Sequence, residues 1–529
     1  MTNLLEKAEN WLADFRPSPR TGLLIAFVFG VVVRMIPELL SYPYPIGFDT
    51  IYYAWKIGEG VVWAHWSGVF DSWLLYGVLI PLHGLLNADP FLLLKLTMPQ
   101  LFGLNACAVY YVATKTLKWS PRKGLFAAGL FSFQVAALGI SWHFYRNMLG
   151  LAVVLFTIPW ILEEKADFKK LIVFSVLSVL AVFSHEYASV LLFAAVLGVV
   201  TSHFSRGKGR EAAAILSATL PAAAVFLIGI LLRFYPIHLA AEPNLLVAFQ
   251  TQGHYSGPLF FMTEYLSVAD TFQHYPTYFD LAASVGSLLV LLYAALLPLV
   301  FVGFFRQKIL DVWTAILCVG AFGCLVVPFF ALDFWNRWMF MLVYPLTLYA
   351  ANGFVKILHS AMPAAFPLGR LGSLRVGKRA AKGLALVSVV SGFVFMTSPM
   401  FLDSGGVFAL PTTVVYLPST MRCNAVPLVD VDGVVEAFRW IDATMNGDSW
   451  LLAHDALFYW AKFSLDGQHT IVFFKNDVNL AIGLGVKAGC KRFLLVWWNR
   501  DIGWYGFTVP ETFKPIYDAD RISVFEYVV

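Results

Sequence analysis

Charge is the scarcest property of this chain. Asp, Glu, Lys and Arg make up 13% of its 529 residues, while 59% are hydrophobic and the mean hydropathy is +0.71. A soluble globular domain has about a quarter of its residues charged, so the composition excludes one and requires a polytopic membrane protein. The net charge of +4 is too small to mark a nucleic-acid partner. Cysteine is also sparse, and none of the five has metal-like spacing. Cys107, Cys318 and Cys324 fall in apolar segments, where a thiol acts as a small hydrophobe. Cys423 and Cys490 fall in a polar tail and would pair only if that tail faces an oxidising space. No small-residue cleavage site follows the first apolar run. Residues 1–21 are therefore expected to be a cytoplasmic amphipathic segment before a retained span, not a removed signal peptide. Internal repeats of the kind many transporters show are lacking too.

What is present is apolar length. Runs fit to cross a bilayer, which takes about 20 residues, occupy 22–40, 90–117, 124–142, 148–162, 171–183, 188–204 and 212–234. Four more occupy 281–305, 312–332, 338–358 and 383–400, giving eleven crossings. Basic residues test this count, because cytoplasmic loops collect them. With the N-terminus inside, the inner loops hold Lys115, Lys118, Arg122 and Lys123, then Lys165, Lys169 and Lys170, then Arg206, Lys208 and Arg210. Arg306 and Lys308 follow, and then Arg370, Arg375, Lys378, Arg379 and Lys382. The longest outer loop, 235–280, has neither Lys nor Arg. The stretch 70–86 is apolar enough for a further crossing but carries Asp71, Pro81 and His83. A crossing there would invert every later basic cluster, so it is expected as a helix at the outer face.

From residue 401 the pattern changes. Helical spacing covers 434–445, 456–463 and 478–487, and strand patterns cover 450–453, 470–474, 493–497 and 523–527. The expected organisation is a cytoplasmic segment (1–21), a transmembrane helical module (22–400) with outer loops 41–89 and 235–280, and an extracytoplasmic α/β domain (401–529). The fold class is thus a polytopic α-helical membrane protein with a C-terminal α/β domain, placed in the plasma membrane.

One stretch stands out, Gly47-Phe48-Asp49-Thr50-Ile51-Tyr52-Tyr53-Ala54. It sets a carboxylate near the outer membrane surface among aromatics that favour that depth. Asp49 can serve as the N-cap of a helix over 50–56. It can also serve as a base that takes the proton of an attacking hydroxyl.

These landmarks resemble the GT-C superfamily of membrane glycosyltransferases, which take sugars from polyprenyl-phosphate carriers. The resemblance rests first on Arg34-Met35-Ile36-Pro37 closing the first span, then Gly47-Phe48-Asp49, Tyr52-Tyr53 and Gly58. This is similar to the first outer loop of oligosaccharyltransferase catalytic subunits and protein O-mannosyltransferases, where an Asp near the start of the loop serves the chemistry. Ser184-His185-Glu186-Tyr187 stands where these proteins often have a polar break. Asn336-Arg337-Trp338, with Leu342, Pro345, Ala350 and Gly353, resembles a late span of the superfamily. Ala437-Phe438-Arg439-Trp440-Ile441 and Asp448-Ser449 resemble the entry to its outer domain. There the sequence departs. In place of the Trp-Trp-Asp-Tyr-Gly motif of oligosaccharyltransferases it has Ala453-His454-Asp455-Ala456, and Trp497-Trp498-Asn499-Arg500 comes later. That departure argues against transfer to asparagine.

The expected reaction is transfer of a sugar from a polyprenyl-phosphate donor to a protein, lipid or glycan acceptor, with Asp49 as general base. Cations are rare on the outer side, so Arg337, Arg146 and His185 are the candidates to hold the donor phosphate. Arg337 could instead pair with Asp333, and either arginine could snorkel from a span end. Glu186, Glu59 and Asp71 are candidates for a second carboxylate or an acceptor contact. The His185-Glu186 pair also reads simply as a polar turn between spans. Arg34 and Glu38, one turn apart, are expected to pair within the first span. Glu264 and Asp270 lie in the cation-free loop and could cover a substrate entrance. No cofactor is certain; a divalent cation is left open, with no ligand set assignable. The alternatives are a transporter or flippase of lipid-linked sugar, or a non-catalytic envelope-assembly protein of the same superfamily.

Overall fold

The computed structural model describes residues 17–60, 73–161, 167–234, 278–304, 308–326, 335–360, 364–367, 373–398, 421, 424–465, 469–474, 477–499 and 507–529. Every one of the eleven apolar runs contains a helix. Among the described residues six helices are long and apolar enough to cross a membrane: Pro19–Leu40, Pro90–Thr116, Glu186–Phe204, Gly209–Gly229, Trp335–His359 and Lys378–Thr397. Two bent pairs raise the number to eight if each is one span: Pro121–Ser132 with Val135–His143 at 61°, and Phe279–Tyr293 with Leu297–Gly303 at 75°. Tyr145–Ile161 and Leu310–Val326 are shorter apolar helices. Lipid-facing stripes show as exposed apolar side chains at helical spacing, Leu24, Val28 and Val32 on the first helix and Leu386, Val390 and Phe393 on the last.

The chain divides into two compact units. One comprises Met1–Ile36, Leu96–Leu227 and Val268–Met396; the other comprises Pro37–Lys95, Ile228–Ser267 and Thr397–Val529. The described residues of the first unit are helical apart from an antiparallel strand pair, β1 (Ala364–Pro367) and β2 (Ser373–Val376). Its helices approach closely through glycine. A Cβ on Gly353 would sit 2.0 Å from the Leu299 carbonyl oxygen and 2.8 Å from the Gly303 nitrogen. Helices Leu297–Gly303 and Val343–His359 therefore touch backbone to backbone, as small residues allow in membranes. Polar side chains mend the breaks. Tyr293 donates its hydroxyl to the carbonyls of Met339 (2.7 Å) and Phe340 (3.1 Å), just before the interruption at Leu342. Asn105 donates to the Met148 carbonyl at 3.1 Å and accepts from the Tyr344 hydroxyl at 2.7 Å, joining three helices by side chains satisfied inside the apolar core.

The second unit holds a five-stranded sheet in the order β4-β3-β5-β7-β6. Its strands are β3 (Ser449–His454), β4 (Thr470–Phe474), β5 (Arg492–Trp498), β6 (Lys514–Ala519) and β7 (Ile522–Val528). β3 runs parallel to β4 and β5; β7 runs antiparallel to β5 and β6. The run Phe493–Trp498 in β5 is apolar throughout and buried, as a strand covered on both faces must be. Helices Val431–Thr444, Asp455–Ser464 and Val478–Lys487 cover the sheet. The six elements expected in the tail over 434–497, and the strand over 523–527, are all present. β6 was not expected: it is a largely exposed edge strand containing Pro515 and a register shift next to it, so it lacks the alternating apolar signal. The tryptophan run at the end of β5 has a structural use. The indole of Trp498 donates to Asp430 at 2.8 Å, and Arg521 lies 3.3 Å from the same buried carboxylate.

Candidate functional site

Asp49 lies in the second unit, at the start of the helix Thr50–Glu59. Ile51 of that helix is buried in the same core as Phe438, Leu451 and Leu494, so the helix is seated on the α/β fold. The loop leading into it is tied down at almost every step. Lys95 points its ammonium at the carbonyls of Glu38 (2.5 Å) and Tyr44 (2.6 Å), the Ser41 hydroxyl (3.2 Å) and the Glu38 carboxylate (3.3 Å). The same carboxylate accepts from the Ile46 amide at 3.2 Å. Gly47 donates to the Asn424 side chain at 3.1 Å and has φ +140°, a conformation that favours glycine. Thr50 then closes the turn by donating its hydroxyl to the Gly47 carbonyl at 2.8 Å.

The carboxylate at the end of this loop does not cap its helix. Asp167 and Asp477, at other helix starts, accept from the amides of Lys169 and Asn479, whereas Asp49 makes no side-chain cap bond. Asp49 is half-buried. It shares its surroundings with Tyr459 on the helix Asp455–Ser464. Burial pushes the Tyr459 hydroxyl up, and Tyr52, Asp455 and Asp49 push it further in the same direction, so it stays protonated and can donate. Around it stands a ring cluster: Tyr52 to Tyr459 at 4.8 Å, Trp55 to Tyr459 at 5.5 Å and Tyr53 stacked on Tyr76 at 5.9 Å. Lys56 lies over the Tyr52 ring at 4.8 Å. Asp49, Tyr52 and Lys56 share one face of their helix through i, i+3, i+7 spacing.

Arg146, His185, Glu186 and Arg337 belong to the first unit. His185 ends the helix Phe168–Ser184 and begins Glu186–Phe204. Its Nδ1 accepts from the Tyr187 amide at 3.2 Å, so the neutral ring carries its proton on Nε2. The ring stacks on Tyr187 at 5.2 Å, and Tyr187 meets Trp338 edge-on at 4.9 Å. Next to Trp338, the Arg337 guanidinium lies over the Phe144 ring at 4.9 Å. Arg146 follows two residues after Phe144, in the helix Tyr145–Ile161. Gly150 of that helix lies against Ala188, Ser184 and His185, where an added Cβ would come within 2.6, 3.2 and 3.5 Å of their Cβ atoms. Three stretches far apart in sequence thus meet, and they carry Arg146, His185 and Arg337. Sequence separation hid this convergence.

Other expectations fare differently. Glu59 is exposed at the far end of the Asp49 helix. Asp71, Asp333, Glu264, Asp270 and Cys423 lie outside the described residues. Arg34 is fully buried and donates to Ser141 through Nε at 2.9 Å and through Nη2 to its carbonyl at 3.2 Å, while Glu38 engages Lys95. Cys490 is buried and unbridged, with its thiol near the Asp448 and Arg492 carbonyls. Among the described residues no group of three or more His, Cys, Asp and Glu side chains gathers as a metal site would require. Lys95 and Asp455 are site residues that the sequence did not single out. Lys95 has no local signal, because its partners Glu38, Ser41 and Tyr44 are distant in the chain, whereas Asp455 acts on Tyr459 one helical turn away.

No protein-family model matches the chain, and no curated protein matches it in sequence. Solved structures do. ArnT from Cupriavidus metallidurans, bound to undecaprenyl phosphate, aligns over 96% of this chain and 98% of its own at 12% identity and a TM-score of 0.49. The archaeal oligosaccharyltransferase AglB from Archaeoglobus fulgidus, in complex with an inhibitory peptide and a dolichol-phosphate, aligns over 90% and 69% at 11% identity and a TM-score of 0.45. The arabinofuranosyltransferase AftD from Mycobacteria aligns over 97% of this chain and 40% of its own, at 12% identity and a TM-score of 0.50. The likeness to AftD is one of fold alone.

Proposed function

We propose that the protein is a membrane glycosyltransferase that moves a sugar from a polyprenyl-phosphate carrier to an acceptor hydroxyl, with Asp49 as general base. The observation that carries this reading is the condition of Asp49, a half-buried carboxylate held on a braced loop at a helix start that it does not cap. A carboxylate used only for helix stability would accept from the first-turn amides. In the reaction the acceptor hydroxyl gives its proton to Asp49 as its oxygen bonds to the anomeric carbon. The bond from that carbon to the phosphate oxygen breaks, and the phosphate leaves with the electron pair.

A phosphate leaving group needs positive donors rather than a proton. Arg337 and Arg146 offer guanidinium forks, and the Nε2–H of His185 offers a third donor. Tyr459 and Asp455 are assigned to the acceptor beside Asp49, with Tyr52 and Trp55 as apolar faces. The basic-loop pattern supports a reading with the N-terminus on the cytoplasmic side of the plasma membrane and residues 401–529 outside.

The test is in-vitro transfer from a panel of polyprenyl-phosphate sugars, each assayed with and without a chelator so that the contribution of any divalent ion is also read. Undecaprenyl and dolichol phosphate carriers are the first to try. Replacing Asp49 with Asn is expected to lower turnover by about 10²–10⁴-fold while donor binding survives. Full turnover by that variant overturns the assignment.

A further inference from the structure

The second unit contains an open cavity of about 280 Å³ in which four aromatic rings face a mixed-charge rim. Phe91 packs on Phe463 at 4.9 Å and on Trp460 at 5.9 Å, and Tyr44 meets Phe91 at 5.9 Å and Trp460 at 6.2 Å. These rings come from three separate stretches of chain. Trp460 is almost fully buried and forms the floor, while Tyr44, Phe91 and Phe463 keep part of their faces open. The Tyr44 hydroxyl is already committed, donating to Asp432 at 2.8 Å, so the ring is fixed in place. Across the cavity stand Arg439 and Asp442, one turn apart on the helix Val431–Thr444 and both exposed, together with Ser464. Asp442 is steadied from its other side by His469 Nε2 at 3.1 Å.

The lining selects a ligand chemistry. An acyl chain would match the rings but would make no use of the guanidinium and carboxylate at the rim. An anionic ligand would meet Asp442, and a cationic one would meet Arg439. A neutral ring with an apolar C–H face and an edge of hydroxyls satisfies both sides. Its face lies on the aromatics, and its hydroxyls donate to the carboxylate and accept from the guanidinium fork. The volume lies just below the usual range for ligand pockets, about 300 to 1,000 Å³. It accommodates one such ring rather than a chain of them.

We propose that this cavity is a carbohydrate subsite that holds one neutral sugar unit of the acceptor, so that the acceptor is a glycan or glycolipid. That the bound sugar belongs to an acceptor rests on the transferase reading; that the cavity binds a sugar does not.

The experiment is ligand-observed saturation-transfer NMR on the full chain in lipid nanodiscs, free of glycoside detergents. The probes are neutral trisaccharides of mannose, glucose, galactose and arabinose. At least one is expected to receive saturation, strongest on C–H protons of one ring face. Arg439→Ala, at an exposed position, and the conservative Phe463→Leu are each expected to weaken its binding about tenfold, and melting curves verify the fold of both variants. Asp49→Asn is expected to leave sugar binding unchanged, which separates this site from the proposed base. With the same trisaccharide as acceptor, Arg439→Ala should raise KM and spare kcat. Sugar binding in a protein that transfers no sugar from any donor of the panel would remove only the acceptor role. The proposal is overturned if no trisaccharide receives saturation, or if both cavity variants leave the signal unchanged. It is also overturned if unglycosylated peptides bind in an Arg439-dependent way where the sugars do not.

Discussion

Lys95 and Glu38, 3.3 Å apart and both almost fully buried, form an ion pair that braces the loop ending at Asp49. Lys95→Met would take the ammonium away from the buried Glu38 carboxylate, at a cost of about 3–5 kcal/mol. Glu38→Leu combined with Lys95→Met removes both charges and should recover much of that loss. The Ile46 amide would still lack its acceptor, so turnover should stay low in the double variant. Chemical denaturation paired with a transfer assay checks both halves, and equal recovery of stability and activity would contradict a bracing role.

Gly47 and Gly58 belong to the same sequence landmark but should respond in opposite ways. Gly47 has φ +140°, so Gly47→Ala is expected to cost about 1–3 kcal/mol and to reduce kcat through the displaced Asp49. A Cβ on Gly58 would meet Pro90 at 3.8 Å and Phe463 at 3.9 Å, which are ordinary contacts. Gly58→Ala should therefore be tolerated, with a gain of about 0.5–1 kcal/mol from helix propensity. Thermal melts of the two variants decide this.

Arg337→Lys keeps the charge over Phe144 and loses the planar fork. If the guanidinium holds donor phosphate, KM for the polyprenyl-phosphate sugar should rise about tenfold with a smaller change in kcat, and Arg337→Gln should do more. An unchanged donor KM in both variants would remove Arg337 from the site.

Trp498→Phe deletes the indole donor to buried Asp430 and leaves Arg521 as its charged partner. The expected loss is about 1.5–3 kcal/mol of stability. Turnover per folded molecule should be preserved, as measured by activity normalised to the native fraction.

The legible parts of this molecule were those set by local pattern. Apolar length gave a helix in each of the eleven runs, and strand–helix alternation gave most of the tail. The bends within 121–143 and 279–303 were not legible, because each apolar run continues straight through its break. The i, i+4 rule suggests pairing Arg34 with Glu38; the structure gives Arg34 a bond to Ser141 and Glu38 a bond to Lys95, partners that no local spacing indicates and that say nothing against that pair. Gly353 was noted as part of a motif, and its role proves to be close helix packing against Gly303. Asp49 was noted as a carboxylate at a helix start. Only coordinates could show that it does not act as the cap.

The order of synthesis bears on how the Asp49 loop acquires its shape. β7 is flanked on one side by β5 and on the other by β6, and Asn424 accepts from the Gly47 amide. Segment 37–60 leaves the ribosome early, yet it is seated on a sheet that cannot close until residues 522–528 have followed. Contacts of such long sequence separation form late. Helices enter the bilayer one after another, while the loop takes its final geometry only when the last strand has been inserted. Until that strand is made, then, the membrane holds spans without a finished Asp49 loop.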